Sequence, residues 1–490
     1  MAKPMPSEAA NEFIPGWEMV IGLEVHCELK TRTKLFCGCT NSFGHEPNTN
    51  ICPVCLGLPG SLPVINESAV ELAVRIGLSL NCKVDESIFH RKNYFYPDMP
   101  KDYQVSQYER AINENGYLEL PLSKKMVRIE RAHIEEDTGK STHVGGGGGR
   151  IHGADHSLVD YNRAGIPLVE IVSAPDLRSA DEAREYVSEL RAILVASGAS
   201  DGKMEEGSLR VDANVSVRRL GSEEFGTRCE IKNLNSLRSL VRAIEYEAQR
   251  QVELINSGER VIQQTRHWNE DQGVTTAMRS KEEAYDYRYF PEPDLVPLSP
   301  SDEWIAEIQG RIGLLPAARR ERMASLFASV SAGSTLDQIV TAVGLGLDDL
   351  VVAAVECGAD PKLALARATN EVASDIGNLS NLTVANFSDL LMMEFESKLS
   401  ATQAKTVLSK MLESGSGPQE VAKSLGFEAL DASILEGLVD QVISGSPKEW
   451  ERFSMGEDQL SGFFIGQVMK LSKGRADGKA VTSILRSKRA

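Results

Sequence analysis

The chain has 490 residues, of which 42% are hydrophobic and 25% charged, a composition typical of a globular protein of about two to four domains. Lys and Arg total 53 against 70 Asp and Glu, and the net charge of −17 argues against a general nucleic-acid coat. No stretch approaches the roughly 18 apolar residues of a membrane span, and the N-terminus has neither a signal nor a transit segment, which favours the cytoplasm.

The N-terminal part of the chain alternates between apolar and polar residues. Residues 1–16 are expected to form a disordered lead. Residues 19–29 then place Glu24 and His26 on one strand face with apolar residues on the other, and residues 209–217 alternate in the same way. Residues 180–198 have a helical pattern that closes at a glycine. Single helices do not regularly separate the strands, so we predict an α+β fold with a mainly antiparallel sheet.

Four cysteines lie within one short segment, residues 37–55. Cys37 and Cys39 precede Cys52 and Cys55, with turn-forming residues between the two pairs. Four thiolates complete a tetrahedral zinc site without an open position, which is the arrangement of a structural ion. Four buried free cysteines are the alternative interpretation.

Acidic residues recur in strand-like contexts along the first half of the chain. We single out Glu135 and Glu136, Glu170 inside an apolar run, Asp212, and Glu230. Carboxylates that converge on one cavity repel each other unless cations neutralise them. Mg²⁺ suits such oxygen ligands and phosphoryl transfer, whereas the histidine would be accepted more readily by Mn²⁺ or Zn²⁺. A solvent-exposed strand face is the competing interpretation of Glu24 and His26.

A proline-rich stretch, residues 290–300, separates this part from a helical region. We predict a first domain over 17–297, a helical linker domain over 298–378 and a helical tail domain over 379–490. Within the tail, Ser400 and Gln403 fit a helix capping box.

The last 24 residues reverse the charge of the chain, because they contain seven basic residues and one acid. Either these residues belong to a solvated helix, or they contact the phosphate backbone of a nucleic acid.

Eight blocks of the sequence, in order, resemble the B subunit of the glutamyl/aspartyl-tRNA amidotransferases, the GatB family. They are EMVIGLEVHCELKTRTKLFC, HRKNYFYPDMPKDYQVSQYE, HIEEDTGKSTH, VDYNRAGIPLVEIVS, KMEEGSLRVDANVSV, EIKNLNS, DYRYFPEPDLVPL and SGFFIGQVMKLSKGRAD. The resemblance covers the chain from Trp17 onward.

This resemblance implies a ligase that works in protein biosynthesis as one member of a heterotrimer, whose other members are an amidase and a small third subunit. The member that this chain resembles uses ATP and Mg²⁺ to phosphorylate the side-chain carboxylate of misacylated Glu-tRNA(Gln) or Asp-tRNA(Asn). Ammonia from the amidase then displaces phosphate. The implied fold is a cradle-shaped antiparallel α+β domain, a helical domain and a helical tail that binds tRNA.

The resemblance also assigns residues. The family's Mg²⁺-binding and catalytic positions correspond to Glu24, His26, Glu136 and Glu170, with Asp212 and Glu230 as further metal ligands nearby. Groups for ATP or the transferred phosphate are expected at Lys92, Lys140, Arg210, Asp212, Glu230 and Lys232, although Lys92 and Lys140 are otherwise interpreted as solvated. The aromatic run 94–96 is expected to pack the cavity wall rather than to stack a base. The tail residues expected to contact tRNA are Lys470, Lys473 and Arg475.

Two other functions stay open from the residues alone. One is a zinc-stapled RNA-binding adaptor without catalysis, which would not turn over ATP. The other is a stand-alone carboxylate–amine ligase for a small substrate, which would leave the basic tail without a role.

Overall fold

The computed structural model describes residues 13–145, 154–278, 287–327, 335–427, 432–472, 476 and 478–489. It divides the chain into two compact units, residues 1–318 and 319–490. Most of the predicted lead, residues 1–12, lies outside the described residues. Phe13 and Ile14, which the predicted lead includes, pack against the first core, and Ile14 forms a β-bridge with Trp17.

The first unit is built on a large sheet. Its strands are β1 (Trp17–Glu28), β2 (Lys83–Val84), β3 (Phe89–Asn93), β4 (Tyr103–Gln107), β5 (Asn113–Glu119), β6 (Met126–Glu136), β7 (Lys140–Val144), β8 (His156–Asp160), β9 (Pro167–Ser173), β10 (Leu209–Arg219), β11 (Cys229–Leu234), β12 (Thr265–Asn269), β13 (Val274–Ala277) and β14 (Phe290–Pro291). The order across the main sheet is β13-β12-β11-β10-β1-β9-β6-β4-β3-β14, with β5 and β2 added beside β6. Strands β7 and β8 form a separate two-stranded sheet.

Neighbouring strands of the main sheet run antiparallel except for β11 and β12, which confirms the predicted fold class. The central strand β1 pairs with β10 on one side and with β9 on the other. Its apolar residues, exemplified by Ile21 and Val25, are fully buried, as the alternation predicted.

Helices cover the apolar face of this sheet. They are α1 (Glu67–Ser79), α2 (Ala180–Ala196) and α3 (Leu237–Asn256), and α4 (Asp302–Gly310) packs against α1. The Ser179 hydroxyl caps α2 by accepting from the backbone of Glu182, and Gly198 follows the helix with φ of 72°, a conformation that favours glycine. The expected helix over 180–198 is confirmed. Because one face of the sheet is closed, polar chemistry is confined to the opposite face.

The first core continues past the predicted boundary at residue 297. Ile308 is fully buried in it, and Trp304 and Leu315 pack against it. The proline-rich stretch returns to the sheet instead of leaving it, since Leu298 exchanges backbone hydrogen bonds with Ser87.

The remaining chain is helical. Its helices are α5 (Pro316–Ser325), α6 (Thr335–Gly344), α7 (Asp348–Glu356), α8 (Pro361–Arg367), α9 (Val384–Phe395), α10 (Ala401–Ser414), α11 (Pro418–Ser424), α12 (Ala432–Gly445), α13 (Pro447–Ser454), α14 (Ser461–Leu471) and α15 (Gly478–Arg489). One core joins residues 323–422 and another joins residues 435–485. The predicted division at 378/379 falls inside the former, because α8 and α9 bury their apolar faces together. The capping box of Ser400 and Gln403 at the start of α10 is confirmed.

No single helix in the part of the chain that the structure describes has the length and apolar character to cross a membrane. Only α6 and α7 taken together are long and apolar enough, and the chain bends by 114° between them.

Candidate active site

The polar face of the main sheet carries its charged side chains on five neighbouring strands. Strand pairing sets Glu24 of β1 opposite Asp212 of β10, and His26 of β1 between Arg210 of β10 and Glu170 of β9. Residues directly opposite each other across antiparallel strands share a face. The register therefore brings side chains that are far apart in sequence onto one surface, as the alternation in the sequence predicted for β1 and β10.

His26, Glu135 and Glu170 form the tightest group on this face, with one ligand atom from each lying within 4.8 Å of the others. His26 Nε2 lies 3.5 Å from Glu135 Oε1 and 3.9 Å from Glu170 Oε2. An imidazole and two carboxylates are a set of donors that fits a divalent cation such as Mg²⁺ or Mn²⁺. We refer to these three residues as the acid–histidine cluster.

His133 extends the acid–histidine cluster towards the interior. Its Nε2 lies 3.3 Å from Glu170 Oε2, and its side chain is 5% exposed. Burial opposes the charge on Glu170, but the nearby imidazoles of His133 and His26 and the ammonium of Lys92 outweigh it and lower the pKa of Glu170. Glu170 is therefore held as a carboxylate, the form that binds a cation.

Glu24 lies beside the acid–histidine cluster and accepts a hydrogen bond of 2.9 Å from Asn214 Nδ2. Burial, followed by the charges of Glu170 and Glu230, raises the pKa of Glu24. The acidic surface thus carries more negative charge than its own cations neutralise, and a bound cation would relieve this repulsion.

Lys232 neutralises the other two predicted acids. Its Nζ lies 2.6 Å from Asp212 Oδ2 and 2.7 Å from Glu230 Oε1. Burial opposes the charge on Lys232, but these two carboxylates outweigh it and raise the pKa of the lysine. Asp212 and Glu230 thus share an internal cation, whereas the hydrogen-bond partner of Glu24 is the neutral amide of Asn214.

A cavity of about 850 Å³ opens over this face. Its lining includes the imidazole of His26, the carboxylates of Glu135 and Asp212, and the cationic side chains of Lys92 and Arg210. Burial opposes the charge on Lys92, yet Glu135, Tyr289 and Glu170 together raise the pKa of this lysine. A cavity lined by both carboxylates and cationic side chains suits a metal-bound phosphate.

Arg210 is anchored by Asp137 at the edge of the cavity. Arg210 Nη2 lies 2.8 Å from Asp137 Oδ2, and Arg163 Nε lies 3.2 Å from the same oxygen. Glu28, two residues beyond His26 on the same face, has its pKa raised to about 7 by burial and by the charge of Asp137. Asp137 therefore holds two guanidinium groups, of which that of Arg210 lines the cavity.

Two predicted residues lie elsewhere. Glu136 is buried away from the acid–histidine cluster, where it pairs with the Lys101 ammonium and accepts a 2.8 Å hydrogen bond from the backbone of Val105. Its neighbour Glu135 takes the place expected for it, because adjacent residues of a strand point to opposite faces. Lys140 is exposed on the separate two-stranded sheet, opposite Asp160.

Sequence reasoning passed over His133 and Lys101. His133 alternates with Glu135 on β6, so the same period of two that identified His26 on β1 would have found it. Lys101 lies in an irregular stretch before β4, and no pattern in the sequence links it to Glu136.

The four cysteines converge as predicted, with the Sγ atoms of Cys37, Cys39, Cys52 and Cys55 all within 4.8 Å of one another. This spacing is compatible with one structural Zn²⁺ ion at Zn–S distances of about 2.3 Å. A hydrogen bond with Cys37 lowers the pKa of the Cys55 thiol, which favours a thiolate. We refer to these residues as the cysteine cluster.

The loop of the cysteine cluster is fastened to the segment after β8. The backbone amide of Asn48 donates to Asp160 Oδ1 at 3.0 Å, and that of Asn50 donates to Asn162 Oδ1 at 2.8 Å. Asn162 Nδ2 in turn donates to the carbonyl of Glu46 at 2.7 Å.

The basic tail is partly neutralised by its own unit. Lys488 lies 2.9 Å from both Glu436 and Asp440, and Arg489 pairs with Asp458. Lys470 is exposed at the end of α14, whereas Lys473 and Arg475 lie outside the described residues.

Comparison with known proteins gives consistent matches along the chain. Residues 19–306 match the family described as "GatB/GatE catalytic domain", and residues 349–488 match the "GatB domain". A relative from Thermodesulfovibrio yellowstonii is 46% identical over 480 residues, covering 96% of this chain and 98% of its own. Relatives from Carboxydothermus hydrogenoformans and Streptomyces avermitilis are each 45% identical and cover 97% and 98% of this chain, with 99% and 97% of their own lengths. All three carry the name of the B subunit of an aspartyl/glutamyl-tRNA(Asn/Gln) amidotransferase.

Proposed function

The chain belongs to the GatB family, and we propose that it activates the side-chain carboxylate of Glu-tRNA(Gln) or Asp-tRNA(Asn) with ATP, in the cytoplasm. The relatives' shared name supports a tRNA-dependent amidotransferase of the ligase class. The observation that carries the activation step is the acid–histidine cluster, which faces a cavity that also holds Lys92 and Arg210. A cation site surrounded by cationic side chains is the arrangement that phosphoryl transfer requires.

The reaction proceeds in two balanced steps. A carboxylate oxygen of the aminoacyl group attacks the γ-phosphorus of ATP, which releases ADP and leaves an acyl phosphate. Ammonia then attacks the acyl carbon, phosphate leaves, and the side chain becomes an amide. Phosphorylation is needed because a free carboxylate is a poor acyl donor, whereas phosphate is a good leaving group.

We assign roles according to where the side chains lie. His26, Glu135 and Glu170 would hold Mg²⁺, with Glu24 as the adjacent carboxylate, and the ion would supply positive charge to the transferred phosphoryl group. Lys92 and Arg210, which also line the cavity, bind phosphate oxygens. Lys232 holds Asp212 and Glu230 in place, so these two acids shape the site.

Glu136 and Lys140 are left out of this assignment. The Lys101 ammonium already pairs with Glu136, and Lys140 is exposed on the separate two-stranded sheet.

The other groups in the proposal act away from the chemistry. A structural Zn²⁺ in the cysteine cluster would fix the loop that holds the segment after β8. A partner amidase supplies ammonia, and a small third subunit makes up the heterotrimer. Lys470, with Lys473 and Arg475, contacts tRNA phosphates, because RNA is commonly recognised through its shape and backbone.

The non-catalytic adaptor is less well supported than this reaction. An adaptor has no need for an acid–histidine cluster whose carboxylates repel each other, and such repulsion is a cost that an unselected surface would not retain. The relatives' names also describe an amidotransferase.

The decisive experiment measures ATP hydrolysis by the chain assembled with the amidase and the small third subunit. Ammonium is supplied directly, so that the result does not depend on release of ammonia from glutamine. We expect ADP to form only when Glu-tRNA(Gln) or Asp-tRNA(Asn) is present, together with the matching amide. The absence of ATP turnover with either tRNA, in a complex shown to bind both, would contradict the proposal and favour the non-catalytic adaptor.

A further inference from the structure

Three aromatic residues lie side by side between β3 and β4, next to the cavity. Tyr94 lines the cavity, and its ring stacks on that of Tyr96 with centroids 5.6 Å apart and an angle of 23°. Phe95 is 77% exposed and Tyr96 is 38% exposed. Only Tyr94 fulfils the expectation that this run packs the cavity wall. We call Tyr94, Phe95 and Tyr96 the aromatic shelf.

The aromatic shelf borders a second hollow of about 390 Å³, lined by Phe95, Tyr96, Pro97, Met99, Pro100, Asp102 and Tyr161. This described lining contains aromatic and apolar side chains with one carboxylate, and it includes neither Lys nor Arg. Such a surface suits a flat, uncharged ring and gives no cation to a phosphate chain. Tyr94 connects the hollow with the cavity, since it lines the cavity and stacks on a residue of the hollow.

The loop that carries the aromatic shelf is held by its own backbone. The amide of Tyr94 donates to Asp102 O at 2.9 Å, and the amide of Met99 donates to Tyr96 O at 2.9 Å. From outside the loop, Tyr161 Oη donates to Pro97 O at 2.8 Å. A surface fixed before binding loses little conformational freedom when a ligand settles on it.

We propose that the aromatic shelf stacks the terminal adenine of the tRNA whose aminoacyl group enters the cavity. The inference rests on the proposed function. The amino acid is esterified to the terminal ribose, so only that sugar and a short aminoacyl chain separate the base from the carboxylate that reacts. The base must therefore lie beside the cavity mouth, where Phe95 and Tyr96 are exposed. Unpaired bases of single-stranded RNA commonly stack on aromatic side chains.

The adenine of ATP is the other adenine in the reaction, and the position of the aromatic shelf argues against it. The cationic groups that a triphosphate needs lie inside the cavity, at Lys92 and Arg210. Phe95 instead faces solvent, from which the end of a large RNA substrate approaches.

The test places 2-aminopurine, a fluorescent adenine analogue that is quenched by stacking, at the 3′ end of tRNA(Gln). It is bound to the full chain assembled with its partner subunits. We expect quenching with the unaltered chain, loss of quenching with Phe95→Ala, and recovery with Phe95→Trp. Phe225→Ala is the matched control, because Phe225 is 63% exposed in the turn after β10, at the end of that strand away from the cavity.

Steady-state kinetics separate the two adenines. We expect Phe95→Ala to raise the KM for aminoacyl-tRNA about fivefold or more, a typical loss for one stacked base, and to change the KM for ATP much less. Equal quenching in Phe95→Ala, or a rise confined to the KM for ATP, would overturn the proposal. Either result would leave tRNA-dependent amide formation by the unaltered chain intact, so this failure is distinct from failure of the proposed function.

Discussion

Among its described residues the first unit has two groups of potential metal ligands, each with its ligand atoms within 4.8 Å of one another but in different surroundings. The cysteine cluster is made by one loop and contains four donors of the same kind. The acid–histidine cluster takes its members from three strands, contains two kinds of donor and faces a cavity. Four thiolates complete the coordination of an ion, whereas one imidazole and two carboxylates leave positions for water or substrate.

The comparison teaches that the number and kind of donors separate a structural from a reactive site better than their distances do. A complete set of ligands stabilises the loop that makes it. An incomplete set leaves coordination positions open, and here it faces a cavity. Changes in the two clusters should therefore affect different properties, one mainly activity and the other mainly stability.

The largest effect is expected from Glu170→Gln, which removes a charged donor from the acid–histidine cluster. We expect tRNA-dependent ATP hydrolysis to fall by at least about 100-fold, as for a change at a metal ligand, with tRNA affinity retained. The measurement is single-turnover ADP formation at several Mg²⁺ concentrations. Glu119→Gln, an exposed acid on β5, is the control and should behave as the unaltered chain. Full turnover by Glu170→Gln would remove this carboxylate from the site.

The next effect is expected from Cys39→Ser, which breaks the cysteine cluster. We expect loss of about one zinc per chain and a decrease of about 3 kcal/mol in the free energy of unfolding, since loss of a structural metal belongs to the strongly destabilising changes. Zinc analysis and urea unfolding measure these quantities. Cys357→Ser changes an exposed cysteine outside the cluster and should alter neither. A zinc content unchanged in Cys39→Ser would contradict the assignment.

Lys232→Met tests whether the Lys232 ammonium neutralises Asp212 and Glu230 in place of a bound metal ion. Asp212 and Glu230 would lose their shared ammonium, so we expect about 2 kcal/mol of destabilisation, because the carboxylates remain without their partner. Urea unfolding measures it, and added Mg²⁺ should restore part of the loss. Lys83→Met removes a solvent-exposed pair with Asp85 and should change the stability much less than Lys232→Met does. Equal effects of the two changes would show that the partial burial of Asp212 and Glu230, the partners of Lys232, is unimportant.

The smallest effect is expected in the pH dependence of stability. Glu247 lies on α3, and arginine side chains neutralise its charge without a bound metal ion. Burial opposes its charge, but hydrogen bonds from Arg250 and Gln251 outweigh it and lower the pKa of Glu247 below 4.5. The resulting stability is fully present above about pH 4.5 and is lost as the pH falls through the lower pKa of the folded state.

Glu247→Gln should therefore unfold more easily at pH 7 and lose less stability than the unaltered chain on acidification from pH 5 to 3. Urea unfolding across this range measures the slope. Glu245→Gln on the exposed side of α3 should retain the slope of the unaltered chain. A slope unchanged in Glu247→Gln would assign acid sensitivity to other carboxylates.

The sequence predicted the polar strand faces well, because a period of two fixes which side chains share a face once one strand is recognised. Glu24, His26 and Asp212 illustrate this. Counting along β6 from its first residue would misplace Glu135 and Glu136, since the strand shifts its register between Ile129 and Arg131. Only the alternation after that shift, which Glu135 shares with His133, gives their faces. A single bulge exchanges the faces of all later residues, and it leaves no distinct pattern in the sequence.

Other outcomes depended on contacts between distant parts of the chain. The spacing of the cysteines indicated their cluster directly, because one loop makes it. The position of Lys140 depended on β7 leaving the main sheet to pair with β8 alone, and the ion pairs of Lys488 and Arg489 depended on the packing of α15. Charge counted along a sequence does not reveal such neutralisation.

The central position of β1 also has a consequence for biosynthesis. Its hydrogen-bonding partners β9 and β10 end at Ser173 and Arg219, so β1 leaves the ribosome with neither neighbour to pair with until more than half of the first unit has been made. At about 5–20 residues per second, β1 waits on the order of ten seconds or more for β10. Its apolar residues are exposed during that interval, so nascent chains truncated before residue 209 are the ones expected to require chaperones.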